Sequence, residues 1–346
     1  MTRISSTPNH WLCLRFGHLG DVLLTTGVLD YFGKTAGFSF DILTKKNWAP
    51  VFERHPHVKT VHTLPEGGTP QLIAFMRKLS REYSGLQQKT GLLDLHGNLR
   101  STVLRQFWNS GPICTYPKYS LERRLFMLSG TCGNTLRATS VPQRYALALQ
   151  PTGLVNTAPP EALLRPKIWL SDEEIALAAA TLTPVAGRSG DTRPVALHPY
   201  AAHPEKTWPR EQWHHLASLL ELAGIAWIVI GMGEDIFPQS PSSFVNRCTL
   251  RQSAALLSRC RALVTGDSGP MHLASAVNTP VVALFGPTTR EWGFFPCGEH
   301  DRVLELPLAC RPCSLHGNKT CPHRGQCLTD ISPEQVMEGV LSEKMV

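Results

Sequence analysis

Short runs of apolar residues alternate along the chain with longer stretches in which apolar residues recur every three or four positions. Residues 11–16 (WLCLRF), 40–44 (FDILT), 61–64 (VHTL) and 91–95 (GLLDL) have the length and unbroken apolarity of buried strands. Among them, 21–32 (DVLLTTGVLDYF), 70–83 (PQLIAFMRKLSREY) and 99–108 (LRSTVLRQFW) show helical spacing. The series restarts in the second half, with strands predicted at 194–199, 226–231, 262–265 and 280–286. Helices are predicted there at 210–224, 250–260 and 270–277. Apolar strands that each lead into a helix predict parallel sheets covered on both faces.

Between the two series lies 157–194, with Pro pairs at its start and Gly-Arg-Ser-Gly-Asp (187–191) at its end. Inside it, Ser171 and Glu174 have capping-box spacing ahead of an Ala-rich helix. This region reads as an interdomain connection. The expected fold is α/β, with two doubly wound, Rossmann-like domains (1–165 and 166–346) facing each other across a cleft. Ligands are expected at the carboxyl ends of the strands.

At 346 residues and 42% hydrophobic, the chain has enough apolar mass for two such cores. Its net charge of +7 is a mild preference for phosphates or an anionic membrane face, too weak to imply nucleic acid. No uncharged apolar run approaches the ~18 residues of a membrane-spanning helix. The start has one Arg and no apolar segment before Trp11, so no secretory signal is expected. A cytosolic protein with mostly reduced thiols follows as the expectation.

Residues 264–272 (VTGDSGPMH) put an acid, a hydroxyl, two glycines, a proline and a histidine where a buried strand hands over to a helix. Gly266 and Gly269 permit a tight turn, and Pro270 suits a first helical turn. The amides freed there form an anion site, to which Ser268 and His272 add donors. The plainer alternative makes Asp267 a helix cap and His272 a satisfied surface residue.

These residues, extended to VTGDSGPMHLASAVNTPVVALFGPT, resemble the donor-site signature of family 9 glycosyltransferases, the lipopolysaccharide heptosyltransferases. LRFGHLGDVLLTTGVL (14–29), LDLHGNLRS (93–101) and KTWPREQW (206–213) are similar to three further blocks of that family, in the same order. The resemblance implies a GT-B architecture and inverting transfer of a heptose or related sugar. The donor, usually ADP-heptose, would lie mostly on the C-terminal domain, and a lipid-anchored lipopolysaccharide core acceptor mostly on the N-terminal one. It also implies Asp21 as the general base, with Gly20 leaving the acceptor room, and Lys206 as the donor-phosphate cation. Asp267, Ser268, Gly269 and His272 complete the implied donor set. Tyr200 and Ala202 stand where the family often carries Gly and Ser or Thr.

Glu234, after the strand at 226–231, is a further donor candidate through ribose or sugar hydroxyls, and equally a loop acid facing water. His96, Asn98 and Arg100 are acceptor candidates. Arg100 suits an acidic sugar, and Asn98 could equally be a helix cap. No convincing Asp-x-Asp is present, so transfer is expected to need no metal cofactor. Two other readings stay open: a GT-B nucleotide-sugar epimerase or hydrolase, and a non-catalytic sugar-nucleotide or nucleic-acid binding module.

Cys310, Cys313, Cys321 and Cys327 cluster near the C-terminus with C-x2-C-x7-C-x5-C spacing, which suggests either a structural zinc or disulfides and free thiols. The last helix is expected to be able to pack back on the N-terminal domain. Attachment to the cytosolic face of the inner membrane would be peripheral. The segment 117–128 (PKYSLERRLFML) is the candidate surface, or else an ordinary amphipathic helix with its apolar side in the core.

Overall fold

The computed structural model describes residues 7–185 and 192–342; the pentapeptide 187–191 and residues 1–6 lie outside them. The chain divides into two compact units, Met1–Tyr119 with Thr139–Ile168, and Ser120–Ala138 with Trp169–Val346. The division falls at 168 rather than 165, and 120–138 groups with the second unit, not the first.

The first unit runs β1 (His10–Leu14), α1 (Leu19–Ala36), β2 (Ser39–Thr44), β3 (Val58–Thr63), α2 (Thr69–Ser84), β4 (Thr90–Asp94), α3 (Leu99–Arg105) and β5 (Ile113–Thr115). Next come α4 (Ser120–Ser129) and α5 (Gly133–Arg137), which group with the second unit; α6 (Val141–Ala146) returns to the first. All strands of the first sheet are parallel, in the order β3-β2-β1-β4-β5. That order reverses direction between β1 and β4, which makes the carboxyl ends of those two strands the switch point. Helix α1 is apolar nearly all round and buried from Val22 to Leu29, as a central helix must be. It stops at Gly37, whose φ of 67° supplies the left-handed turn.

The second unit adds α7 (Asp172–Leu182), β6 (Val195–His198), α8 (Arg210–Leu222), β7 (Trp227–Val229) and α9 (Leu250–Ser258). It continues through β8 (Ala262–Gly266), α10 (Gly269–Ala276), β9 (Val281–Phe285), β10 (Arg302–Glu305), α11 (Gln326–Thr329) and α12 (Pro333–Leu341). Its parallel sheet has the order β10-β9-β8-β6-β7, with the switch point between β6 and β8. Val195, Leu197, Trp213, Leu216, Val264, Val282 and Leu284 fill the core between sheet and helices. Each aliphatic side chain so buried is worth about 1.5–3 kcal/mol.

The boundary between the units falls inside 157–194, as expected of a connection, and its described residues are tied down on both sides of that boundary. Lys167 ends the first unit, donating its N–H to Thr26 Oγ1 (2.8 Å) and its ammonium to Asp30. Ser171 does cap α7 as its spacing predicts, and Glu174 then pairs with Arg251 of α9 at 2.6 Å. The last helix does not leave its own unit: Val336 and Val340 sit in the second unit's core. Its apolar face follows helical spacing, and α8 and the sheet offer the surface that covers it.

Candidate active site

At the switch point of the second unit, the β8–α10 turn meets the segment after β6. Ser268, not Asp267, occupies the cap position of α10, with φ −149° and ψ 168°, and Gly269 and Pro270 form the first helical turn. Asp267 instead accepts from Lys206 Nζ at 2.5 Å and from Thr288 Oγ1 at 2.7 Å, both on Oδ2. The plain-cap reading of Asp267 is therefore set aside. Lys206 lies in a short 3-10 turn, Pro204–Lys206, with its side chain 13% exposed. Trp208, two residues on, anchors this segment by donating to the carbonyl of Ile331 at 3.0 Å.

Beneath the turn, His198 Nδ1, Thr265 Oγ1 and Ser268 Oγ form a chain of contacts at 3.0, 3.0 and 3.4 Å. Burial lowers the pKa of His198 to about 4, so the imidazole is neutral at pH 7. His272 is buried too, which overturns its reading as a surface residue. Its ring lies 6.3 Å from that of Phe294.

Tyr200, the departure from the family's usual loop, has a local cause. Gly231 and Gly233 adopt φ of 131° and 149°, and a Cβ on either would lie 2.5 or 2.8 Å from the Tyr200 ring. The ring fills the space those glycines leave, and its hydroxyl donates to the carbonyl of Glu234 at 2.9 Å. The carboxylate of Glu234 is 84% exposed and faces Arg210 at 3.3 Å. Asp235 turns inward instead, accepting from Ser243 Oγ at 2.6 Å.

In the first unit, β1 and β4 end side by side. Asp21, in the first turn of α1, accepts from Tyr145 on Oδ1 (2.7 Å) and pairs through Oδ2 with Arg15 at 2.5 Å. Burial is the largest effect and works against the charge of Arg15, but Asp21 together with Tyr145 and Tyr116 outweighs it, and the pKa of Arg15 is raised. Burial likewise pushes the Tyr145 phenol well above its usual value, so it stays a donor. The two contacts aim the carboxylate. Gly20 directly precedes it.

His96 follows β4 and lies tilted against Phe16, ring centroids 4.7 Å apart. Burial, then Arg15, lowers its pKa to about 4. Asn98 is both things at once: it caps α3 through Ser101 N at 2.9 Å, and its amide lies 2.8 Å from His96 Nε2. With Phe16, Gly17, His18 and Arg100 these residues line a cavity of about 270 Å³ that also includes Lys45 and Trp48. Arg100 and Lys45 bring two cations to it, and Trp48 an aromatic face. A second cavity, of about 320 Å³, is lined by Arg77, Ser80, Arg81, Gln106, Phe107 and Asn109. It lies toward the amino ends of the strands, away from this chemistry.

The structure thus brings Asp21, Gly20, His96, Asn98 and Arg100 to one switch point, and Lys206, Asp267, Ser268 and Gly269 to the other. Residues missed from sequence are Arg15, Tyr145, Lys45, Trp48, His198 and Thr288. Arg15 carried a readable signal, since a charge inside an apolar strand requires a buried partner.

No disulfide joins the ten cysteines, and among the described residues no three His, Cys, Asp or Glu side chains are arranged to hold a metal ion. Cys327 is turned into the core, 5% exposed, while Cys310 is exposed on its loop. The four remain neighbours: burial, then Cys310 and Cys321, raises the pKa of Cys313.

Two parallel-sheet α/β units, each with polar machinery at a switch point, define a two-domain protein of the GT-B class. Residues 76–322 match the model of glycosyltransferase family 9 (heptosyltransferase). The chain belongs to that family. It is 25% identical over 311 residues to lipooligosaccharide heptosyltransferase 2 of Haemophilus influenzae, covering 84% of this chain and 87% of that protein. It is 37% identical over 98 residues to lipooligosaccharide heptosyltransferase 2 of Campylobacter jejuni, a stretch spanning 27% of this chain and 28% of that relative's length. Among solved structures it is similar in fold to E. coli ADP-heptose lipopolysaccharide heptosyltransferase II, with a TM-score of 0.71 at 21% identity, covering 97% and 98% of the two chains.

Proposed function

We propose that the chain is an inverting glycosyltransferase that moves a heptose from ADP-heptose to an acceptor sugar of the lipopolysaccharide core. The observation that carries this reading is a lysine-bearing anion turn at the switch point of the second unit, and the first unit holds an aimed carboxylate at its own. In the reaction, an acceptor hydroxyl oxygen attacks C1 of the donor sugar as the bond from C1 to the diphosphate breaks. The hydroxyl proton passes to Asp21, and Lys206 offsets the negative charge gained by the departing diphosphate.

The amides of Ser268 and Gly269 at the start of α10 add donors to the phosphates. Asp267 and Thr288 hold Lys206 in place, and His272 supports the turn from its buried side. Glu234 is exposed, and turning toward ribose hydroxyls would exchange its contact with half-exposed Arg210. Arg100 and Lys45 suit an acidic acceptor sugar, with Trp48 as a face for its ring. Because Lys206 meets the leaving-group charge, the reaction calls for no added divalent cation, and activity should survive EDTA.

Peripheral attachment to the cytosolic face of the inner membrane is part of the same proposal. No described helix is long and apolar enough to cross a membrane. The test of function is mass spectrometry of purified protein with a panel of nucleotide-sugars and lipopolysaccharide acceptors of successive truncation. Gain of one heptose on a single truncated acceptor, with ADP-heptose only, is expected. A different transferred sugar, or no product on any acceptor, would contradict the assignment.

A further inference from the structure

The cysteine-rich segment between β10 and α11 holds no metal set, yet it is firmly built and placed. The guanidinium of Arg311, its side chain 5% exposed, binds five acceptors. It donates to the carbonyls of Gly286 (2.5 Å), Phe285 (3.1 Å), Thr288 (3.0 Å) and Leu306, and to the carboxylate of Glu305 (2.7 Å). The N–H of Cys313 adds a bond to the carbonyl of Pro287 at 3.1 Å. Together these fix the segment to the turn at the carboxyl end of β9, the turn that also contributes Thr288 to Asp267.

From that anchorage the chain runs to Gly317. Buried Ser314 accepts the Gly317 N–H on its hydroxyl at 2.6 Å, and Gly317 adopts φ of 71°. A Cβ added at Gly317 would lie 2.6 Å from Cε, 2.7 Å from Cγ and 3.1 Å from Cδ of Lys206. The stem of the lysine therefore lies flat against bare backbone, and its ammonium is delivered to Asp267. A side chain at 317 would occupy the space of that stem. Lys206 is thus set from two sides, by Asp267 at its charged end and by Gly317 along its length.

We infer that the segment from Arg311 to Gly317 is a wall of the donor-phosphate site and that Gly317 is a positioning residue for Lys206. This rests on the donor reading given above and adds to it a residue outside the signature turn. Gly317 acts only through Lys206, so its effect should appear in nucleotide affinity and vanish when the lysine is absent.

The test is a double-mutant cycle on the full chain, with ADP as the probe and isothermal titration as the readout. Gly317→Ala is expected to weaken ADP binding about tenfold and to raise the donor KM more than it lowers kcat. Gly325→Ala is the matched control. It has the same left-handed backbone, φ 74°, but open space, its nearest neighbour being Thr329 at 3.9 Å. It should bind ADP like wild type. Ser314→Ala, which releases the Gly317 N–H without adding atoms, should weaken binding about threefold and serves if Gly317→Ala folds poorly. In a Lys206→Ala background neither Gly317→Ala nor Ser314→Ala should weaken ADP binding further. If Lys206→Ala is impaired while Gly317→Ala and Ser314→Ala bind like wild type, this inference alone is overturned, as it is if their losses persist without the lysine. If Lys206→Ala itself binds ADP like wild type, the donor reading falls and takes this inference with it.

Discussion

Asp21 and Lys206 are each held against an opposite charge at the mouth of a parallel sheet. Such pairing costs reactivity unless it also aims the group, and the geometry at Asp21 does so through a buried arginine and a buried phenol. Asp21→Asn should keep the fold and ADP binding while cutting transfer by about 10² or more, the scale of a lost general base. Turnover near wild type in that variant removes the base assignment. Tyr145→Phe should lower kcat by about tenfold at unchanged ADP affinity, because it frees the carboxylate to turn. Lys206→Ala should weaken donor affinity and slow diphosphate departure. His272→Ala should do the same more mildly by loosening the turn, and unchanged donor kinetics in both would move the phosphate site elsewhere. These residues differed in how visible they were. Asp21, Lys206 and Asp267 stand in glycine- or proline-marked turns, where local sequence betrays a site. Tyr145 reaches Asp21 from 124 positions away, and nothing near it in the chain announces the contact. Lys45 and Trp48 join the first-unit cavity only because β2 lies next to β1.

Among the elements, the long strands and helices follow directly from apolar spacing, because buried parallel strands have no polar face to blur the pattern. The edge strands β5 and β10 did not show. Ile113–Thr115 is three residues long and exposed at both ends, and Arg302–Glu305 is charged at both. Both exist because a neighbouring strand offers a ladder, which local sequence does not encode. From its sequence, the segment carrying helix α4 reads as a membrane-facing surface or an ordinary amphipathic helix with its apolar side in the core. No residue of α4 is buried, so the second of these does not hold. Phe126 packs on Trp292, ring centroids 5.8 Å apart, and Arg123 donates to the Trp292 carbonyl at 3.4 Å. Leu121, Leu125 and Leu128, at helical spacing, are left 65%, 38% and 84% exposed beside exposed Arg124. Lys118, in the same segment, also turns inward, to the carbonyl of Gly97, so apolar insertion carries more of the proposed contact than charge does. Anionic vesicles should retain the protein at low salt, and Arg124→Glu with Leu128→Glu should release it. Undiminished retention by that double variant would place the contact on another surface.

At the scale of the whole molecule, three imidazoles link folding to pH, His55 and His198 buried and His96 half-buried. Burial lowers His55, His96 and His198 to about 4, from an ordinary value of 6.5. Between those values the unfolded chain binds more protons than the folded one, so stability rises with pH there. The contribution of the neutral rings is present above pH 6.5 and is lost as pH falls toward 4. Glu174, lowered to about 2 by its bond from Arg251, acts further down, losing its contribution only below about 4.5. Urea midpoints should therefore fall steadily from pH 7 to 4.5, with a shallower slope in His198→Gln; a flat profile would contradict this. The central claim is that the two switch points work together as donor and acceptor sites of one transfer. Its most direct test is the rate of ADP release from ADP-heptose in EDTA, measured with and without heptose-deficient lipopolysaccharide, for wild type and Asp21→Asn. The account predicts release that depends on the acceptor and falls by about 10² in the variant. Release at the same rate without acceptor would contradict it, pointing to a hydrolase or epimerase instead.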